Sequence, residues 1–199
     1  MTEVEKLIRL PSEFKPEEGA FVEPVAVAAH STARAGDLRG KNVVVSGAGT
    51  IGNFVAQACK CRGASKVLIA DVSEYRLNVA KAVGIDATCN VTCEPLAEGV
   101  RRVFGDRGFE VGAEVAGAEP SLKALVSAIG KGGTLLIIGV FGEPPIVDMS
   151  VICEHELNVK GSMMYRHGDF EQAVEWISSG EIQTAQLVSK HFDFEDFPE

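Results

Sequence analysis

Three glycines and one aspartate carry the most pointed chemistry in this chain. Gly47, Gly49 and Gly52 stand in a G-x-G-x-x-G spacing, with Thr50 and Ile51 inside the turn. The triple follows the apolar run NVVVSG and opens a helix-length segment. In that setting the first glycine makes a tight turn and the second lets backbone approach a pyrophosphate, while the third packs the helix close on the strand. The positive end of the helix, with its free N–H groups, is where phosphate groups would sit. Nineteen positions after Gly52 comes Asp71, at the end of the next apolar run. A carboxylate there accepts both ribose hydroxyls of an adenosine and repels a 2′-phosphate, which selects NAD over NADP. Arg76 is near enough to favour the phosphorylated form, but with Asp71 in place it is expected over the adenine face.

Other nucleotide chemistries fit less well. A short-chain reductase needs a Tyr followed four positions later by Lys, and Tyr75 and Tyr165 are followed there by Val79 and Asp169. A methyltransferase using S-adenosylmethionine can pair a glycine turn with a ribose-binding acid, but it has no need of a third glycine to admit a pyrophosphate. The five cysteines, Cys59, Cys61, Cys89, Cys93 and Cys153, are odd in number and form no paired C-x-x-C knuckles, so reduced thiols without a metal are expected. His30, His155, His167 and His191 show no ligand or triad partner by spacing.

The elements that must position these residues alternate. Strand-like runs at 42–47, 66–71, 86–91, 109–117, 133–139 and 157–162 are separated by helix-length segments at 50–62, 74–83, 95–104, 119–129 and 169–179. Alternation of this kind predicts stacked βαβ units: an α/β fold, a doubly wound Rossmann sheet of six parallel strands in three layers. Residues 19–30 are helix-like and led by Glu23 and Pro24, which on their own suit a helix start; residues 186–194 read as a strand. With 199 residues, one domain is expected. The net charge of −9 disfavours nucleic acid as a partner, and no apolar run is long enough to span a bilayer, so a cytoplasmic protein is expected.

Taken in order, EGAFVEPVAVAAH, VVVSGAGTIG, KVLIAD, YRLNVAKAVGID, GGTLLIIGVFG, ELNVKGSMMY and FEQAVEWISSGEI resemble the medium-chain, zinc-dependent alcohol dehydrogenase family, in particular its sorbitol, xylitol and threonine dehydrogenase branch. The resemblance implies the coenzyme domain alone. Residues 1–22 would be the tail of a catalytic domain, 23–185 the NAD-binding domain, and 186–199 the start of the return. It implies that Glu23 faces a catalytic zinc whose other ligands lie in the absent part, so that no zinc is expected on this chain by itself. Val27 and Ile51 would press on the nicotinamide, and Val115 and Ala116, with Gly117, would line the adenosine side. Backbone groups of Ile138, Gly139, Val140, Ser162 and Met164 would hold the carboxamide. The parent would pass hydride between a small alcohol or polyol and NAD, and this part alone would be inactive. Where polyol dehydrogenases tend to carry arginine just before the tyrosine, this chain has Met164, which puts a polyol in doubt. The resemblance also implies a homodimer or homotetramer, paired through 139–149. A stand-alone NAD-sensing or interaction module is the alternative.

Overall fold

The computed structural model describes residues 7–196; the first six positions of the 1–22 span and the last three of 186–199 lie outside the described residues. All five residues of β1 (Asn42–Ser46) are buried, as a strand requires when helices cover both faces of its sheet. On one side lies β2 (Lys66–Asp71), then β3 (Ala87–Asn90); on the other come β4 (Val111–Glu114), β5 (Thr134–Ile137) and β6 (Asn158–Gly161). All pairings are parallel and the order is β3-β2-β1-β4-β5-β6. Every strand-like run of the βαβ region is a strand, most of them a residue or more shorter than the run itself. The order reverses between β1 and β4, and the crevice beyond the strand ends at such a switch point is where α/β sheets take ligands.

Alternation along the strands divides the interior in two. Val43 and Val45 point to one face, beneath α1 (Pro16–Ala35), α2 (Thr50–Cys61), α3 (Glu74–Ala82) and α7 (His167–Ser178). Val44 and Leu68 point to the other, beneath α4 (Leu96–Phe104), α5 (Glu119–Ala128) and the short α6 (Met149–Glu154). Three layers result.

Helix α1 starts earlier than Glu23 and Pro24 suggested. Pro16 supplies a preset φ in the first turn, Glu17 and Glu18 complement the helix dipole, and the Glu18 carboxylate accepts the Lys15 N–H at 2.8 Å. Pro24 therefore lies inside the helix, where it leaves the Ala20 carbonyl without its usual donor. The small buried residues Ala26, Ala28 and Ala29 let α1 lie close on α2 and α7, and Phe21 meets Phe54 edge-on with ring centroids 5.4 Å apart.

One other expectation changes. The run at 186–194 is not a strand: Ala185–Leu187 forms a 3-10 turn and the chain then continues irregularly. Residues 139–148, with Pro144 and Pro145, form an irregular connection, 149 begins the six-residue α6, and the outermost strand on that side is β6. Among the described residues no helix is long and apolar enough to cross a membrane.

Replacing Phe54, fully buried between α1 and the sheet, with Ala should lower the unfolding free energy by about 3–5 kcal/mol in urea titration. The same change at Val140, 80% exposed, should stay within about 0.5 kcal/mol.

Candidate functional site

The glycine turn sits at the end of β1, and its three glycines do different work. Gly47 has φ 110°, a conformation costly for other residues, and a Cβ on it would press on the Ala116 backbone nitrogen at 2.8 Å. A Cβ on Gly52 would collide with the Gly47 carbonyl oxygen. Gly49 has an ordinary φ of −67°, and a Cβ there would meet nothing within 4 Å. The fold needs the first and third glycines, whereas the space over the second is left open. Around that space the N–H groups of Gly49, Thr50, Ile51 and Gly52 meet no acceptor among the described residues, as expected at a helix start without a side-chain cap. Together they form a cluster of open donors at a helix start, an arrangement that suits an anion.

Asp71 closes this turn from the side of β2. Its carboxylate is 5% exposed and accepts the Ala48 N–H at 2.7 Å on one oxygen and the Ser73 N–H at 2.8 Å on the other. Lone pairs remain on both oxygens for hydroxyl donors. Arg76 is half exposed, with its guanidinium 3.8 Å from this carboxylate. A cavity of about 190 Å³ runs from Ala48, Gly49, Thr50 and Asn53 past Tyr75, Arg76 and Val79 to Gln186, Leu187 and Ser189. The boundary drawn at 185 thus crosses the lining of the crevice. Gln57 ties α2 to the stretch that leads to Gln186 and Leu187, since its amide exchanges two hydrogen bonds with the Gln183 backbone (2.7 and 3.2 Å).

On the far side of the switch point stands a buried acid that spacing did not single out. Glu114, wholly buried at the end of β4, accepts the backbone N–H groups of Ala116 (3.1 Å) and Gly117 (3.2 Å) and the Ser121 hydroxyl (2.8 Å). These bonds curl the β4 loop beside Gly47. The visible signal was an acid inside an otherwise apolar strand. Val115 is half-buried against the core and Ala116 is exposed, both next to the glycine turn. Ile138 and Gly139 also lie close, but their N–H groups already donate to the Glu114 carbonyl at 2.9 and 3.0 Å, and the Ser162 N–H donates to Ile137 at 2.9 Å. Of the five residues assigned to a carboxamide, only Val140 and Met164 therefore keep uncommitted N–H groups. Both are exposed, and Met164 has φ 58°, which is rare for a residue with a side chain.

A second cavity, of about 500 Å³, brings Ile138, Gly139, Val140 and Ser162 together with His30 and Arg34. Val27 and Ile51 are half-buried outside its lining. His30 does have a partner, because its Nδ1 lies 2.9 Å from the Asp169 carboxylate on α7. Spacing could not reveal a pair 139 residues apart.

Glu23 lies exposed on α1 at a third cleft, of about 470 Å³, with Tyr165, Arg166, His167 and Phe170. The Tyr165 hydroxyl is pushed above its ordinary pKa by partial desolvation and by the Glu23 charge. Among the described residues there is no group of three or more His, Cys, Asp or Glu that could hold a metal ion. Burial pushes the thiols of Cys59 and Cys61 up to about 12 and that of Cys89 to about 11, which keeps them protonated near neutral pH.

Known proteins share this arrangement. The family described as zinc-binding dehydrogenase matches residues 50–179. D-xylulose reductase A of Aspergillus niger is 35% identical over 192 residues, 94% of this chain and 54% of its own length. The chain spans about half the length of the curated relatives it matches. Among solved structures, the protein named short chain alcohol dehydrogenase from Escherichia coli CFT073, complexed with NADH, superposes with a TM-score of 0.85 at 26% identity, covering 96% of this chain and 56% of that one. A putative zinc-binding dehydrogenase of Sinorhizobium meliloti bound to NADP does so with a TM-score of 0.81 at 27% identity, covering 88% and 52%.

The glycines should separate in the laboratory. Gly52→Ala should cost about 1–3 kcal/mol in denaturant titration, because the new methyl has only rigid backbone to displace. Gly49→Ala should change stability by no more than about 1 kcal/mol, a small loss at the helix cap offsetting a gain in the unfolded chain.

Proposed function

The chain belongs to the zinc-binding dehydrogenase family, and on that premise we propose that it binds NAD(H) for hydride transfer between the nicotinamide and a small alcohol or polyol. The observation that carries this reading is the open space over Gly49, ringed by four N–H groups without acceptors among the described residues, with the Asp71 carboxylate bracing the same turn at the Ala48 N–H. The adenosine end would lie toward Tyr75, Arg76 and Leu187, and the nicotinamide toward Val27, Ile51 and the 138–140 segment. Bound NAD accepts the hydride; the protein's share is to hold the diphosphate on α2, to receive the ribose on Asp71 and to present one face of the ring.

The likeness to an NADH-bound and an NADP-bound structure leaves the choice of coenzyme to the local charge. Here a buried carboxylate stands at the ribose position, and a 2′-phosphate would have to approach it. The nearby Arg76 offsets that repulsion only from an exposed position. Glu23 would act toward zinc only together with ligands beyond the described residues, so we propose no catalysis by these residues alone. An alcohol or polyol remains the proposed substrate class, without the arginine that polyol enzymes tend to carry before Tyr165.

We also propose that two copies pair along β6. Among the described residues no strand pairs with its outer side, and Val140, Ile146, Met149, Val159 and Met163 are exposed apolar side chains that association would cover.

Calorimetric titration should show NAD binding at least about tenfold tighter than NADP. Asp71→Asn should bring the two affinities together, because its carbonyl can still accept the Ala48 N–H while the charge is gone. Equal affinities in the unmodified chain would overturn the assignment of Asp71. Light scattering should show a dimer or tetramer that Val159→Glu converts to monomer; a monomer at high concentration before any change would remove the pairing.

A further inference from the structure

The glycine turn is held from a second direction by a residue that no nucleotide-binding pattern requires. Asn53 lies one position after the last glycine, on the first turns of α2, and is 1% exposed. Its neighbours along the helix, Phe54, Val55 and Ala56, are buried and apolar. Its side-chain nitrogen donates to the Ala48 carbonyl at 2.7 Å and to the Gly49 carbonyl at 3.1 Å. Its Oδ1 is buried and has no partner. An apolar residue would spare that orphaned acceptor and favour the helix more, but it would leave the Ala48 carbonyl without its donor, so what the asparagine serves is the turn and not the helix. The same side chain lines the crevice with Ala48, Gly49, Thr50 and Arg76.

The geometry of the peptide unit shows what the amide achieves. The unit joining Ala48 to Gly49 is planar and trans, so its C=O and N–H point in opposite directions. Holding the Ala48 carbonyl on Asn53 aims the Gly49 N–H away from α2 and toward the open space over the turn. The preceding unit is held by Asp71, which takes the Ala48 N–H at 2.7 Å. Two buried polar side chains, one from β2 and one from α2, thus lock consecutive peptide units of a turn whose glycines would otherwise leave it free to rotate.

We propose that Asn53 is a positioning residue for the diphosphate: it orients the Gly49 N–H before the ligand arrives, so that binding does not have to order the turn. The proposal rests on the reading of this crevice as a dinucleotide site. It adds that affinity there depends on an amide acting through backbone, not through contact with the ligand.

The test compares NAD with adenosine, which reaches Asp71 but carries no phosphate. Asn53→Leu keeps the branching at Cγ and removes both donors; Asn53→Asp keeps the shape and turns the donor into an acceptor facing two carbonyls. Calorimetry for NAD and amide chemical-shift titration for adenosine give the two affinities. For either variant, NAD affinity should fall about tenfold, as the loss of an oriented donor to a charged group implies, while adenosine affinity stays within about twofold. In the free protein the Gly49 amide resonance should broaden or shift. Unchanged NAD affinity in a folded variant would overturn the proposal, as would an equal loss for adenosine. Failure of the unmodified chain to bind NAD would sink the dinucleotide reading itself, an outcome distinct from both.

Discussion

The close approach of α2 to the end of β1 is the constraint from which the rest follows. Only a glycine at 52 allows the helix to start directly over the Gly47 carbonyl, and only there do its first N–H groups face outward over the switch point instead of into the core. If α2 were shifted outward by even a methyl group, the cradle would part from Asp71, which braces the Ala48 N–H, and from the β4 loop beside Gly47. Close packing around Phe54 and the small residues of α1 holds the helix against that shift.

Buried acids do the remaining positioning. Asp71 and Glu114 end strands on either side of β1, and each takes backbone N–H groups that would otherwise go unpaired in a loop shielded from water. A charged acceptor makes stronger bonds than a neutral one, so a short loop can be fixed by one side chain. The same arrangement gives Asp71 two tasks, bracing the turn and presenting a charge to the sugar. Removing its whole side chain would disturb both tasks at once. Replacing it with Asn would remove the charge and leave a carbonyl for only one of the two N–H groups.

The described surface is uneven in what it offers. The crevice over the glycine turn is polar, narrow and bounded by hydrogen-bonded loops, whereas the cleft at Glu23 is wide and lined by Leu7, Ile8, Leu10 and Phe170 beside one carboxylate. The first can orient a ligand through fixed donors. The second presents the Glu23 carboxylate and the His167 imidazole among apolar walls.

The sequence by itself determined the α/β class, six parallel strands, the glycine turn and the place of Asp71. These depend on local periodicity and on spacing within one βαβ unit, and neighbours along the chain are then neighbours in space. Tertiary structure alone decided the partners. His30 meets Asp169 across 139 positions, Gln57 meets the Gln183 backbone across 126, and Leu187 lines the crevice of the glycine turn. It also decided which backbone groups stay free: the amides of Ile138, Gly139 and Ser162 matched the expected segments but are used up by the sheet and by Glu114. Sequence pattern records which faces are apolar, but the partner of a polar group depends on how separate layers are stacked, and that is set only when the core closes.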